Sequence, residues 1–315
     1  MPLEPPSREI IENAIAVWKR VGAKSAAARE LNIPKSTFCG WLDIAQRIYH
    51  IKLPDPQATP AAKGRREIDL DNGLVLVGSD PHYWPGDAST AHRAFVNFCK
   101  KLKPAVVVMN GDALDLPRVS RHPPPGWTRM PETKDELEVC AERLGEIAKA
   151  AGKAKKLWPW GNHDQRFEVY LATHAPEVAG VKGTRLLDHF PDWEPCWSVF
   201  VNNRPGGLVI KHRHRGGIHA TWNNVIYAGR SIATGHLHSQ RVTPITDYNG
   251  TRYGIDVGTM ADIYAPQFQY LEDNPRNWRS GFAVFRFDSG ALLPPELVTV
   301  LEPGVVAFRG ELIEV

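Results

Sequence analysis

The sequence predicts an α/β sandwich, two packed mixed β-sheets flanked by helices, preceded by a small all-α domain. Three observations carry this. From residue 73 onward, short apolar runs alternate with stretches at helical period. The ends of those runs repeatedly hold Asp, Asn or His, where an α/β fold places its chemistry. Before residue 51, only helical periods are readable. The expected division is therefore a helical domain over 1–50, a linker over 51–68 and the sandwich over 69–315.

In the helical domain, Ile11, Ala14, Ile15 and Trp18 fall on one face of a helix over 8–20, with Ser7 as its N-cap. A short second helix runs from Ser25 to Leu31, where Ala26, Ala27 and Ala28 allow close packing, and Asn32-Ile33-Pro34 ends it. A third, from about Lys35 to Ile48, buries Phe38, Trp41, Leu42 and Ala45 and leaves Lys35, Ser36 and Thr37 exposed in its first turn. Ser36-Thr37-Phe38 followed by Trp41-Leu42 resembles the DNA-binding helix-turn-helix of resolvases, transposases and phage regulators. That resemblance implies a last helix entering the major groove, with Lys35, Ser36 and Thr37 meeting DNA. A three-helix bundle for protein docking or oligomerisation has the same periodicity and remains open.

Leu53 to Arg66 is rich in Pro and Ala with no apolar period and reads as a semi-extended linker. Residues 1–67 carry eleven Lys/Arg against seven Asp/Glu, and the remainder 27 against 28, so the net charge of +3 originates in the N-terminal part. A polyanionic partner there is expected.

In the sandwich, Gly73–Ser79 is a strand ending at Asp80 and His82; a helix over 89–102 leads to the strand 105–109, ending at Asp112. A helix over 134–151 precedes a strand near 157–160, ending at Asn162 and His163. Residues 196–201 and 208–211 read as strands, the second ending at His212; a helix over 222–230 and the run 231–234 lead to His236. Asn249-Gly250 and Asp288-Ser289-Gly290 are hairpin signals, the second following the strand 282–287.

Charged residues make up 23 % of the chain, and no apolar run approaches the roughly 20 residues of a membrane span. The N-terminus has no secretion-signal pattern, so a cytoplasmic protein without membrane attachment is expected. Cys39, Cys99, Cys140 and Cys196 lack paired spacing and read as small buried residues rather than disulfides or zinc ligands.

Five blocks carry chemistry: Asp80-Pro81-His82, Gly111-Asp112, Gly161-Asn162-His163-Asp164, His212, and Gly235-His236-Leu237-His238. Asp80, His82, Asp112, Asn162, His212, His236 and His238 offer oxygen and imidazole donors without thiolates, a set for two divalent cations. Manganese is the first expectation, with iron or zinc also suited. Asp112, with two carboxylate oxygens, suits a bridge between them.

In order and spacing these blocks resemble the signature of the calcineurin-like metallophosphoesterases across most of residues 69–315. The resemblance implies phosphoester hydrolysis without a covalent enzyme intermediate. It implies Asp80, His82 and His238 around one metal, Asn162, His212 and His236 around the other, and Asp112 between. It makes His163 the acid that protonates the leaving oxygen or a phosphate ligand, oriented by Asp115 or Asp164. The family usually has His-Gly after the fourth strand, whereas this chain reads Lys211-His212-Arg213-His214-Arg215; His212 follows the strand directly and is preferred over His214. His92, His122, His174, His189 and His219 read as ordinary residues.

Arg213 and Arg215 are expected on phosphate oxygens. Residues 117–129 form an irregular basic insert beside Asp115, in which Arg118, Arg121, Arg129 and Trp127 suit a phosphate backbone with a stacked base, although a substrate-free surface loop fits as well. The attached helix-turn-helix favours DNA phosphodiesters as substrate. The alternatives are a phosphomonoesterase, small-nucleotide hydrolase or protein phosphatase with a docking domain, and a DNA-binding regulator with an inactive phosphoesterase scaffold.

Overall fold

A computed structural model of the chain describes residues 6–21, 24–51, 53, 64–123, 127, 129–274 and 276–315. The chain divides into two compact units, residues 1–63 and 64–315. None of the helices among the described residues is long and apolar enough to cross a membrane.

The first unit holds three helices, α1 (Arg8–Val21), α2 (Lys24–Glu30) and α3 (Lys35–Arg47). Ser7 caps the first, its Oγ accepting from the Ile10 amide at 3.4 Å. The second stops because Asn32 adopts a left-handed φ of 53°, which lets the Leu31 and Ile33 amides reach back to the Ala27 and Ala28 carbonyls. Pro34 then sits in extended backbone before Lys35. Ile11, Ala14, Ile15, Trp18, Ala27, Ala28, Phe38, Leu42 and Ala45 form the core, with Trp18 edge-on to Phe38 at 6.2 Å. Truncating the fully buried Phe38 would cost about 3–5 kcal/mol. Trp41 is only partly buried, and Lys35, Ser36 and Thr37 are exposed. Cys39 is exposed on α3, contrary to its expected burial, while Cys99, Cys140 and Cys196 are buried; all four are free thiols.

The second unit runs β1 (Arg65–Ile68), β2 (Gly73–Gly78), α4 (Thr90–Leu102), β3 (Val106–Met109), α5 (Thr133–Ala151), β4 (Lys155–Pro159), α6 (Arg166–His174), β5 (Glu194–Cys196), β6 (Ser198–Val201), β7 (Leu208–Ile210), α7 (Ala220–Ala228), β8 (Ser231–Thr234), β9 (Arg241–Asp247), β10 (Gly250–Asp256), β11 (Gly281–Asp288), β12 (Ala291–Leu292), β13 (Glu296–Glu302), β14 (Val305–Phe308) and β15 (Glu311–Glu314). One sheet follows the order β15-β14-β13-β11-β2-β3-β4-β5, with β12 paired to β11; the other follows β1-β6-β7-β8-β10-β9. Both mix parallel and antiparallel pairs.

Alternation explains why the parallel strands read as unbroken apolar runs. Val75, Val77, Val106 and Val108 pack with Val199, Val201, Ile210 and Ile255 of the other sheet. Their neighbours Leu76, Val107 and Met109 face outward onto Phe95 and Phe98 of α4 and Leu144 and Ile147 of α5. Hairpins form at both signals: β9 turns into β10 through Tyr248 and Asn249, with Gly250 already paired to Asp247, and Ser289 and Gly290, with φ of 50° and 77°, make the turn from β11 to β12.

The linker end, one strand and two missed elements differ from the sequence reading. The linker assigned to 51–68 ends earlier, because Arg65–Ile68 pairs in parallel with Ser198–Val201; residues 52 and 54–63 lie outside the described residues. The strand expected over 196–201 is two strands in different sheets: β5 pairs with β4, the half-exposed Trp197 is the crossing point, and β6 pairs with β1. The helix α6 and the meander β13–β15 carry little apolar periodicity and were not anticipated.

Candidate metal centre

The parallel strands deliver their polar ends to one place. Asp80 and His82 follow β2, Asp112 follows β3, Asn162 and His163 follow β4, His212 follows β7, and His236 and His238 follow β8. Three clusters of closely spaced ligand atoms result: Asp80/His82/His238, Asp112/His212/His236 and His82/Asp115/His163. The first is the set expected at one metal; the second brings His212 and His236, expected at the other, together with Asp112, expected between the two, and does not include Asn162.

Backbone strain is concentrated here. Asp80, His82, Asp112, His236 and His238 have φ of 52°, 41°, 48°, 70° and 57°, a region that costs a non-glycine residue on the order of 1–3 kcal/mol. Surrounding hydrogen bonds hold these turns: the Asp80 amide donates to the Gly111 carbonyl at 2.9 Å and the His82 amide to Asp112 at 3.1 Å. The His236 amide donates to the Asp80 carboxylate at 2.9 Å, and the His163 amide to Asp112 Oδ1 at 2.8 Å. The glycines of the blocks are set by close approach. A Cβ on Gly161 would lie 2.0 Å from Asp112 Oδ1, and one on Gly235 would lie 1.9 Å from Ser79 Oγ and 2.3 Å from Asp80 Oδ2.

The rings are oriented from behind. His212 Nδ1 faces the Asn110 carbonyl at 2.7 Å, which presents Nε2 to Asp112 Oδ2 at 3.2 Å. His82 Nδ1 faces Asp115 Oδ1 at 3.1 Å, and His238 Nε2 lies 3.1 Å from Asp80 Oδ1. His212 is 1 % exposed. His214 is exposed, so the structure brings His212 and not His214 to the cluster.

Asp115 and Asp164 separate into different tasks. Asp115 Oδ1 lies 3.1 Å from His163 Nδ1, and its carbonyl 3.0 Å from the same nitrogen. Asp164 instead accepts from the amides of Asp112, Ala113 and Gly161 at 2.8–2.9 Å and from the Trp158 indole at 3.2 Å. It joins the β3 and β4 turns to one another and does not orient His163, which corrects its place among the catalytic candidates.

Burial raises the Asp80 and Asp112 carboxyls, but His212 and the other imidazoles around them outweigh it, and both sit below the ordinary carboxylate range. His212 is pushed up to about 10, burial being overcome by Asp112 and Asp80. Burial likewise opposes, and Asp115 and Asp112 prevail in, the upward shift of His163. Burial and the charge of Asp112 raise Asp164 to about 6. The carboxylates and imidazoles of the cluster thus hold one another in their charged forms.

The donor set fits divalent metals. His82 Nε2, His238 Nδ1 and Asn162 Oδ1 are buried without hydrogen-bond partners among the described residues, each an arrangement costing about 1–3 kcal/mol if nothing fills it. Nitrogen and oxygen donors without thiolate suit manganese, iron or zinc.

Beside the cluster lies a cavity of about 590 Å³ whose lining includes Asn162, His163, Asp115, Trp84, Met130 and Tyr270. Arg166, missed in the sequence, also lines it: Nη1 donates to the Asp115 carbonyl at 2.6 Å and Nη2 to His163 Nε2 at 3.1 Å. Its one legible signal was position, three residues beyond His163. His122, read as an ordinary residue, lines the cavity as well. Trp278 covers His238 at 4.3 Å.

The expected phosphate-binding arginines are not gathered around the ligands. Arg118 is tied to the Pro131 and Met130 carbonyls and to Glu132. Arg213 and Arg215 are exposed, the latter stacked on Tyr227 at 4.2 Å. Arg121 and Arg129 line a groove that adjoins the cavity. Trp127 is fully exposed, and residues 124–126 and 128 of the insert lie outside the described residues.

No family model matches the chain. Over 248 residues, 72 % of this chain and 93 % of the relative, it is 29 % identical to the Gene 54 protein of Mycobacterium phage L5. Among solved structures it is similar to Vps29 of Entamoeba histolytica complexed with zinc, at 14 % identity and a TM-score of 0.41, over 76 % of this chain and 98 % of that one. It is also similar to an archaeal phosphodiesterase, at 13 % identity and a TM-score of 0.38, over 72 % of this chain and 99 % of that one.

Proposed function

We propose that the chain is a two-metal phosphoesterase that hydrolyses phosphodiester bonds, with DNA as its substrate and the N-terminal helices as the module that recruits it. The observation that carries the hydrolytic reading is the pair of adjoining Asp/His triads, Asp80/His82/His238 and Asp112/His212/His236, next to His163 at the mouth of a cavity.

Asp80, His82 and His238 would hold one cation and Asn162, His212 and His236 the second, with Asp112 shared between them and manganese the first choice. Divalent cations in such a centre supply Lewis acidity toward a phosphoryl oxygen and a nucleophilic water at neutral pH. The protein's part is positioning and proton transfer. Asp115 holds the Nδ1 edge of His163, and Nε2, which lies 3.1 Å from Arg166 Nη2, is the edge left for substrate once that guanidinium turns to the phosphate. From there a protonated His163 would deliver its Nε2 proton to the departing oxygen and become neutral, the buried Asp115 carboxylate having stabilised the imidazolium beforehand. The turns carrying the ligands need no rearrangement, because the Asp164 carboxylate and the close-packed glycines already fix them.

Support for the DNA reading comes from the first unit. The turn at Asn32 and Pro34 leaves Lys35, Ser36 and Thr37 exposed at the start of α3, the placement a groove-reading helix requires.

Turnover of bis(p-nitrophenyl) phosphate against the monoester, with manganese supplied, tests the reaction. Diester turnover that chelation and His163→Ala both abolish is expected. Monoester turnover alone would replace the reading with a phosphomonoesterase, and none with either ester under any metal would favour an inactive scaffold. Duplex binding across a salt series, wild type against Lys35→Ala, tests recruitment: salt-insensitive or unchanged binding would make the unit a docking module.

A further inference from the structure

We propose that the cavity beside His163 is a pocket for one unpaired nucleotide of a nucleic-acid strand, so that the site acts on single-stranded or frayed segments in preference to closed duplex. This rests on the phosphoesterase reading above and specifies its substrate.

Four chain segments converge on the cavity: Trp84 after β2, the insert through Pro117 and His122, the β4–α6 connection through His163 and Arg166, and the turn carrying Gln267 and Tyr270. Its volume of about 590 Å³ lies within the ~300–1,000 Å³ of sites that enclose a small-molecule-sized group. The flat faces of Trp84 and Tyr270 suit a base, which stacks on aromatic side chains whatever its identity. Gln267 anchors through Nε2 to the His82 carbonyl at 3.1 Å, and its amide oxygen is buried without a partner among the described residues, an acceptor suited to a base N–H.

Charge continues the strand in both directions. Arg166 spends Nη1 on the Asp115 carbonyl and Nη2 on His163, and a guanidinium has five donors, so its fork retains hydrogen bonds for phosphate oxygens at the junction of cavity and metal cluster. Outward, the adjoining groove shares Pro117, Ser120, His122, Pro123 and Met130 with the cavity and adds Arg118, Arg121 and Arg129. An isolated nucleotide would have no use for that second basic groove, whereas the next phosphates of a strand would lie along it. A base still paired within a stacked duplex cannot enter a concave pocket beside buried ligands, so the base must be unpaired first.

The test uses the full chain in three measurements. Binding of etheno-adenosine monophosphate and of a single-stranded oligonucleotide carrying a fluorescent base is followed without metal; cleavage of that strand is compared with cleavage of a closed dumbbell duplex with manganese; and bis(p-nitrophenyl) phosphate turnover reports on the reaction itself. We expect Trp84→Ala and Tyr270→Ala each to weaken binding of the strand about 10-fold, Trp84→Phe to retain it, and the strand to be cut at least about 10-fold faster than the dumbbell. Tyr270 is 57 % exposed, so its truncation leaves the fold intact should Trp84→Ala fail to fold. Unchanged binding in both Ala variants, or equal cleavage of strand and dumbbell, would overturn the pocket while leaving diester turnover, and hence the phosphoesterase reading, standing. Aromatic-dependent binding without any ester turnover would do the reverse.

Discussion

The turns at the carboxyl ends of β2, β3, β4 and β8 and the helix α5 that covers the same sheet are built on opposite rules. In the turns, glycines leave no space for a methyl group, five ligand residues hold positive φ, and backbone amides donate to the Asp80, Asp112 and Asp164 carboxylates. In α5, Gly145 has nothing within 4 Å of where a Cβ would stand, and the helix is held by apolar contacts of Leu137, Leu144 and Ile147. The first region gives up stability to fix geometry; the second supplies stability and tolerates change. One buried acid, Glu136, links them: it lies in the first turn of α5 and accepts from the Leu116 amide at 2.9 Å, where the chain leaving Asp115 turns with a φ of 54°.

The contrast can be broken or sharpened by substitution. The largest effect is expected at Asp112, whose replacement by Asn removes the carboxylate of the Asp112/His212/His236 triad that we propose serves both cations; metal-dependent diester turnover should fall on the order of 10³-fold or more, with stoichiometric metal binding lost by calorimetry. Retained turnover would displace Asp112 from the centre of the site. Next comes Gly161→Ala. Its methyl must push aside both the Asp112 carboxylate and the Asp112 backbone amide, and an ångström of misplacement costs about 10²-fold in rate, with a fall in melting temperature beside it. Asp164→Asn places an amide N–H against groups that are all donors, so metal affinity should drop about 10–100-fold through the loosened turns, and Arg166 and His163 should keep their contacts.

Smaller effects belong to α5. Burial, and after it the charge of Asp115, raises Glu136 to about 8. A carboxyl raised on folding stabilises the fold fully below its unfolded pKa near 4.5 and loses that contribution as pH climbs through the folded value, so wild type should lose melting temperature relative to Glu136→Gln between pH 5 and pH 8. Parallel melting curves across that range would show that Glu136 keeps its charge. Gly145→Ala, in an exposed helix interior with room for the methyl, should raise stability by up to about 1 kcal/mol and leave turnover unchanged.

Legibility followed the same line. The alternating apolar runs revealed β2, β3 and β8, and hence where polar ends would gather, because a parallel strand buried on both faces leaves a continuous hydrophobic signature. The helices of the first unit were readable from Ile11, Ile15, Trp18 and Phe38 for the analogous reason. Arg66 to Ile68 gave no such signal, since β1 is an edge strand with only alternate residues half covered. The crossing at Trp197 was invisible for another cause: residues 194–201 are extended throughout, and only pairing partners distinguish the two sheets.

By itself the sequence determined which donors the chain possesses and that they follow strands, because residue type and local period are properties of neighbours along the chain. Tertiary structure decided which donor meets which. His238 reaches Asp80 across 158 residues, and Asp112 reaches the His163 amide across 51. It chose His212 over His214 by burying one and leaving the other in solvent, gave Asp115 the His163 ring and Asp164 the backbone turns, and brought Arg166, Trp84 and Tyr270 to one cavity. Those choices depend on how separate strands pack and cross, which no periodicity along the chain encodes.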